Sequence, residues 1–277
     1  MVSTIQIKPT AILRPFISCY ALRSFNTGDF TMPKPYHAIK ESYLTFFLKG
    51  DSCFLTDDSG KKINNFSNAL SNLVTHSNGC TWYKGDYLLL SVQLTANGIP
   101  VIFGIPQCKL INSLLCAEDI LGNDSNILTE QLSACNNIFQ MGALLDSYFI
   151  KKLSQQKTNY YTNILARIAN NISQQNGLVS IDSIAYEYNM SVRTLERRFI
   201  DQVGMPVKLY ARIAKFHHAV EDKMLHPEKN WTAISHENGY YDQSHFIKDC
   251  KEFSSRSPEE LFKTTPVPKE HITEFED

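Results

Sequence analysis

The sequence predicts an α+β chain in two parts: a small antiparallel β unit with helices behind it, then an all-α unit. Three observations predict this. Up to about residue 95 the apolar residues come in short runs rich in aromatic and branched side chains, broken at Lys49-Gly50-Asp51, Asp57-Asp58-Ser59-Gly60 and Ser77-Asn78-Gly79. After Thr95 the apolar repeat lengthens to steps of three and four, the spacing of a helix. Beyond residue 160 a pattern of cap, helix, turn, cap, helix occurs twice. The length of 277 residues suits two domains at ~100–200 residues each. With 43% hydrophobic residues, 12 Gly and 11 Pro, most of the chain is expected to fold rather than to be of low complexity.

Element by element, strands are expected at residues 43–48, 53–56, 69–75 and 87–94. An apolar segment follows at 99–105, then helices at 127–132 and 138–153. In the last of these Ile138, Met141, Leu145 and Phe149 form one stripe, which could face the chain's own sheet or a second copy. The polar stretch 151–159 reads as a linker or a solvated helix end, and it sets the domain boundary. The front domain is therefore expected over 1–155, β-rich over 1–95 and helical over 99–155, and the second domain over 160–265. In the second, Ile164, Leu165, Ile168 and Ile172 make one helical face, and Ile181, Ile184, Ala185 and Tyr188 another. Residues 266–277 are expected to be a frayed acidic tail.

No apolar stretch approaches the ~18–20 residues of a membrane-spanning helix, so no membrane role is expected. The N-terminus lacks a basic segment followed by an apolar run, which makes the cytoplasm the expected location. The seven cysteines are odd in number and scattered, with no C-x-x-C pair, and are expected to be buried thiols rather than zinc ligands or disulfides.

The two capped helix pairs carry the functional signal. In the first, Ser180 can cap one helix, Ala185 is small where two helices must approach, Asn189-Met190 makes the turn, and Ser191 caps the next helix. Leu195 and Phe199 then face inward, while Arg193 and Arg197 fall together on another face beside Glu196. In the second, Ile234 points inward, Gly239 suits a left-handed turn, and Asp242 can cap a helix whose Phe246 and Cys250 pack inside. This leaves Gln243, Ser244 and Lys248 on the open face, with His245 at its edge. Ser257-Pro258-Glu259-Glu260 reads as a further capped helix start.

This duplication resembles the DNA-binding domain of the AraC/XylS family of transcription regulators over residues 162–262. The resemblance rests on Ile184-Ala185, Ser191, Arg193-Thr194-Leu195-Glu196-Arg197-Arg198-Phe199, Gly204, Tyr210, Ile234, Gly239-Tyr240, Asp242-Gln243-Ser244-His245-Phe246 and Ser257-Pro258. The chain departs from the family pattern at Ser235, usually Ala, at Cys250, usually Phe, at Ser255, where Gly is common, and at Pro206-Val207, where a small residue usually precedes Pro. The resemblance implies sequence-specific DNA binding by two tandem helix-turn-helix units in adjacent major grooves. The candidate DNA-contacting residues are Ser191, Arg193, Thr194, Glu196, Arg197 and Arg198 in the first unit, and Gln243, Ser244, His245 and Lys248 in the second. Double-stranded DNA is the implied partner, with RNA polymerase, a second copy of the chain and an unidentified small-molecule effector as further candidates. No cofactor and no catalytic residue is expected.

The segment between the two units is a separate check. Residues 208–225 as a helix would span ~27 Å, close to the ~34 Å between successive major grooves on one face of DNA. Charge argues the other way: residues 158–265 hold thirteen Lys and Arg against thirteen Asp and Glu, so no general basic clamp exists. Binding must rest on local clusters such as Arg193, Arg197 and Arg198 and on helix N-termini aimed at phosphates. For the front domain the resemblance implies an effector-sensing or dimerising module, and a cupin-like barrel fits the strand pattern. His37 and His76 are isolated, without the ligand spacing of a metal cupin. The aromatic cluster Tyr43, Phe46, Phe47, Phe54, Trp82, Tyr83 and Tyr87 could line a pocket or fill a core. The competing readings are a metal-dependent cupin enzyme, a DNA-repair protein with a methyl-accepting cysteine, and an interaction module that has lost its DNA role.

Overall fold

A computed structural model describes residues 3–50, 53–57, 59–77, 79–156 and 160–264. The expected acidic tail and the end of the expected linker lie outside the described residues. The front part holds strands β1 (Ser3–Ile7), β2 (Ile17–Asn26), β3 (Met32–Pro35), β4 (Ser42–Lys49), β5 (Cys53–Thr56), β6 (Lys62–Phe66), β7 (Asn68–Ser71), β8 (Cys80–Tyr83), β9 (Asp86–Leu94) and β10 (Leu114–Cys116). They make a six-stranded sheet ordered β1-β2-β9-β4-β7-β10 and a four-stranded sheet ordered β3-β8-β5-β6, with every pairing antiparallel. Three of these strands were expected nearly to their ends. The one expected over 69–75 is shorter, and Val74 pairs separately with Ile39.

The register sorts the large sheet into alternating rows. Tyr20, Val92, Leu44 and Leu70 pair across it in one row, and Leu22, Leu90 and Phe46 in the next row of the same face. These apolar rows pack on helices α1 (Gly98–Phe103), α2 (Glu118–Leu121), α3 (Asp124–Ser133) and α4 (Ile138–Ser154). The rows between carry Cys19, Gln93, Tyr43 and Ser71, then Ala21, Ser91, Thr45 and Ala69, on the opposite face. There the second sheet closes over one end through Phe25, Phe66, Tyr83 and Tyr87. The aromatic cluster is thus divided: Phe46 lies under the helices, and Tyr83, Tyr87 and Phe47 lie in the core between the sheets.

The α4 stripe of Ile138, Met141, Leu145 and Phe149 faces the chain's own sheet. Gly142 permits the contact, since a Cβ there would lie 2.5 Å from Ile7 Cδ1. Asp146 fastens it by accepting from Tyr20 Oη at 2.8 Å and from the Thr10 amide at 3.1 Å. The expected linker is helical at its start, because Lys151 and Lys152 form the last turn of α4 and Lys152 pairs with Asp124 at 2.9 Å. Of the thiols, Cys19 and Cys250 are buried as expected, whereas Cys108, on the 3-10 turn Gln107–Lys109, is exposed.

The second part comprises α5 (Tyr160–Gln174), α6 (Ile181–Glu187), α7 (Val192–Val203), α8 (Val207–Leu225), α9 (Trp231–Glu237), α10 (Gln243–Ser254) and α11 (Pro258–Thr264). No strand occurs among its described residues. Its core takes in Ala38, Leu73 and Ala96 of the front part, so apolar packing runs unbroken between the two. Beside that junction Lys40 pairs with Glu41. Burial alone would lower the Lys40 ammonium, but the Glu41 carboxylate outweighs it and holds the pKa above the ordinary lysine value.

Ser255 ends α10 in the left-handed region at φ 58, where a family glycine is common. A non-glycine residue there costs ~1–2 kcal/mol. Ser255→Gly should therefore raise stability by about 1 kcal/mol, read as a higher midpoint in thermal or urea unfolding; an unchanged or lower midpoint would show that the Ser255 side chain offsets the strain.

Candidate nucleic-acid interface

The duplication seen in the sequence extends to individual hydrogen bonds. α6 is capped by Ser180, whose side chain accepts from the Ser183 amide, and α9 by Asn230, which accepts from the Ala233 amide. Each helix ends in the same turn: Met190 N donates to Ala185 O at 2.8 Å, and Tyr240 N donates to Ser235 O at 2.9 Å. The residue before each donor is left-handed, Asn189 at φ 51 and Gly239 at φ 69. The second helices then start on Ser191, which accepts from the Thr194 amide at 3.1 Å, and on Asp242, which accepts from the His245 amide at 2.9 Å. Ser235, in place of the usual Ala, is fully buried and returns its hydroxyl to Trp231 O at 2.7 Å.

Packing decides which side of each second helix faces outward. α7 buries Leu195, Phe199 and Val203 and leaves Arg193, Arg197, Ile200 and Asp201 exposed. α10 buries Phe246, Cys250 and Phe253 and leaves Ser244, His245, Lys248, Lys251 and Glu252 exposed. The 19 residues of α8 join the two units and span ~28 Å at 1.5 Å per residue.

Residues 184–264 match the family described as "Helix-turn-helix domain". These residues form a helix-turn-helix domain. The fold of the whole chain is similar to that of ToxT from Vibrio cholerae O395, with a TM-score of 0.50 at 12% identity over 90% of this chain and 99% of that one. A second similar structure is unsaturated-fatty-acid-bound wild-type ToxT from Vibrio cholerae strain SCE256, with a TM-score of 0.45 at 13% identity over 96% of each chain. No curated protein matches the chain.

Within the helix-turn-helix domain the expected contact residues separate into free and engaged groups. Arg193, Arg197, Ser244 and Lys248 stand on the outward stripes. Ser191 and Thr194 join hydroxyls at 2.8 Å at the start of α7. The Nδ1 of exposed His245 lies 2.9 Å from Asp242 Oδ1, which holds the ring against its own helix cap. Two residues have work inside the fold. Glu196 accepts from the Val207 amide at 3.2 Å and so caps α8, whose N-cap Pro206 has no side-chain cap bond. Gln243 accepts from Thr232 Oγ1 at 2.9 Å, tying α10 to α9, and Arg198 is half-buried.

Two exposed residues add to the α10 face beyond those expected from sequence, Lys251 on the helix and Tyr241 just ahead of its cap. Lys251 lies three positions after Lys248, and Tyr241, 84% exposed, lies three before Ser244. The i, i+3, i+4 spacing from Ser244 would have found Lys251, whereas Tyr241 lies ahead of the extended cap residue Asp242, where helical spacing does not apply. Behind the stripe, Arg212 on α8 pairs with Asp249 at 2.6 Å and Glu252 at 2.7 Å, so two acids of α10 are neutralised from within. At the other end of α8, Lys229 bonds Asp222 at 3.0 Å and Glu237 at 2.6 Å, while Asn238 donates to Asp222 at 2.8 Å. Burial would raise the Asp222 pKa, but the bonds from Lys229 and Asn238 outweigh it and hold the carboxyl below its ordinary value.

A folded-state pKa below the unfolded one gives stability that is present above the unfolded carboxyl value, ~3.9, and is lost as pH falls through the folded value. Asp222→Asn should consequently melt below the native chain at neutral pH, and the gap should close under acid. A gap of constant size from pH 7 to pH 3 would remove Asp222 from the acid response.

Proposed function

We propose that this chain is a sequence-specific DNA-binding transcription regulator that reads adjacent major grooves with α7 and α10. The observation that carries the reading is the repeated outward stripe, Arg193 with Arg197 on α7 and Ser244 with Lys248 and Lys251 on α10, each behind a capped helix start and joined by one 19-residue helix. Arg193 and Arg197 are one turn apart and suit bidentate contacts to guanine, the commonest specific pairing in the major groove. Lys248 and Lys251 suit phosphate oxygens, which position the protein without reading sequence. Ile200, 41% exposed on the α7 stripe, suits a thymine methyl group.

The front part, by its place ahead of the DNA-binding domain, is proposed to sense a small molecule or to pair two copies of the chain. The repair-enzyme alternative needs an activated thiolate, and burial works against one at four cysteines: it pushes Cys19 up to about 12 and raises Cys80, Cys116 and Cys250 as well. For a metal enzyme, among the described residues no three His, Cys, Asp or Glu side chains group to hold an ion.

Footprinting of the full chain on genomic fragments should protect two adjacent major grooves on one face of the duplex. Absence of protection at any salt concentration would favour the interaction module instead. On a selected site, Arg197→Ala should cost ~1–3 kcal/mol and relax preference at one base position, and an unchanged preference would remove it from base reading. Lys248→Ala should weaken all sequences alike and reduce the slope of log affinity against log salt by about 1; an unaltered slope would take Lys248 off the phosphate backbone.

A further inference from the structure

Both reading helices end on the front part of the chain. α7 stops at Gly204, left-handed at φ 86, and a Cβ there would lie 3.3 Å from Cys108 Cα, from Cys108 N and from Ile111 Cδ1. The end of α7 therefore sits on the backbone of the 3-10 turn Gln107–Lys109 and on the residues just after it. α10 ends with its last carbonyls free of helical partners, as every helix does. One of them, Phe253 O, accepts from the amide of Ala38 at 2.9 Å, and Ala38 is fully buried. The same Ala38 turns its carbonyl to α8, where it accepts from His217 Nε2 at 2.7 Å. A single residue of the front part is thus bonded to the second reading helix and to the rod that joins the two units.

We infer that the front part is a jig that fixes the separation and relative rotation of α7 and α10, and that His217 and Ile111 are positioning residues for the spacing of the two half-sites on DNA. This rests on the DNA-binding reading above. The contacts lie at the C-terminal ends of the helices and in the core, while Arg193, Arg197, Ser244 and Lys248 stay exposed. The grip is therefore compatible with bound DNA rather than opposed to it. One added base pair between half-sites moves the second by ~3.4 Å and turns it by about 35°, a tenth of a helical turn. A rod packed only within its own domain could absorb part of that change by tilting. A rod fastened with both reading helices to a third body has to break the Ala38 or Gly204 seat.

The test uses the full chain, selection from a random-sequence DNA pool, and binding to the selected site with and without one inserted base pair. The native chain and His217→Gln, which keeps a donor for Ala38 O, should enrich two half-sites at one separation. His217→Ala and Ile111→Ala should enrich the same half-sites, while the penalty for the inserted base pair falls ~5-fold, about 1 kcal/mol at 1.4 kcal/mol per decade. The two alanine variants loosen different seats, so either one that stays folded in a thermal melt decides the matter. A native-sized penalty in the folded variant, or equal weakening on both spacings, overturns the inference and leaves DNA binding standing. A native chain that enriches no sequence at all removes the DNA-binding reading, and the jig with it.

Discussion

The position of helix α8 is the constraint on which the DNA-binding half depends. Val207, Tyr210, Ile213, Ala214, Phe216 and Ala219 are buried along its length, in a core that includes α5, both helix-turn-helix units and three residues of the front part. Each large apolar side chain taken from water in such a core contributes ~1.5–3 kcal/mol, so α8 cannot shift without opening contacts on several sides at once. Polar ties then index the other helices to it. Glu196 fastens α7 to its first turn, Arg212 fastens α10 to its middle, and Asp222 with Lys229 and Asn238 fastens α9 to its last turns. Arg212 also lies over the Phe253 ring at 5.1 Å, joining the polar tie to the apolar core.

Those ties also resolve the charge balance of a domain with as many acids as bases. Glu196, Asp222, Glu237, Asp249 and Glu252 all bond to groups within the fold. Arg193, Arg197, Lys248 and Lys251 point outward instead. The domain is neutral in sum, while the outward faces of α7 and α10 carry these four cations against Asp201, a net positive charge. Such a surface attracts DNA at short range, within a Debye length of ~8–10 Å, and gives little long-range steering.

Much of the helical half was legible in the sequence because its signals are local. Caps lie three residues from the amides they bond, as with Ser180, Ser191, Asp242 and the Ser257–Glu260 capping box. The buried faces repeat at three and four. The front half was less legible because its order is set by pairing at a distance. β2 was not anticipated, since Cys19, Tyr20 and Ala21 are all buried and the strand lacks the alternation of a half-exposed one. The seat of α7 on Cys108 and the bond from Ala38 to Phe253 link residues far apart in the chain, and no local pattern announces either. For the same reason Glu196 and Gln243 read as outward residues in a single-helix projection, while their partners belong to other elements.

The outward residues and the residues that hold the frame are separate sets. Arg193, Arg197 and Ile200 on α7, and Ser244, Lys248 and Lys251 on α10, contribute little to the buried core. Substitutions at such exposed positions usually leave stability within about half a kcal/mol. The six positions behave as interchangeable type in a fixed press: under the proposed DNA-binding reading, a library randomised there alone would sample new sequence preferences on an unaltered scaffold.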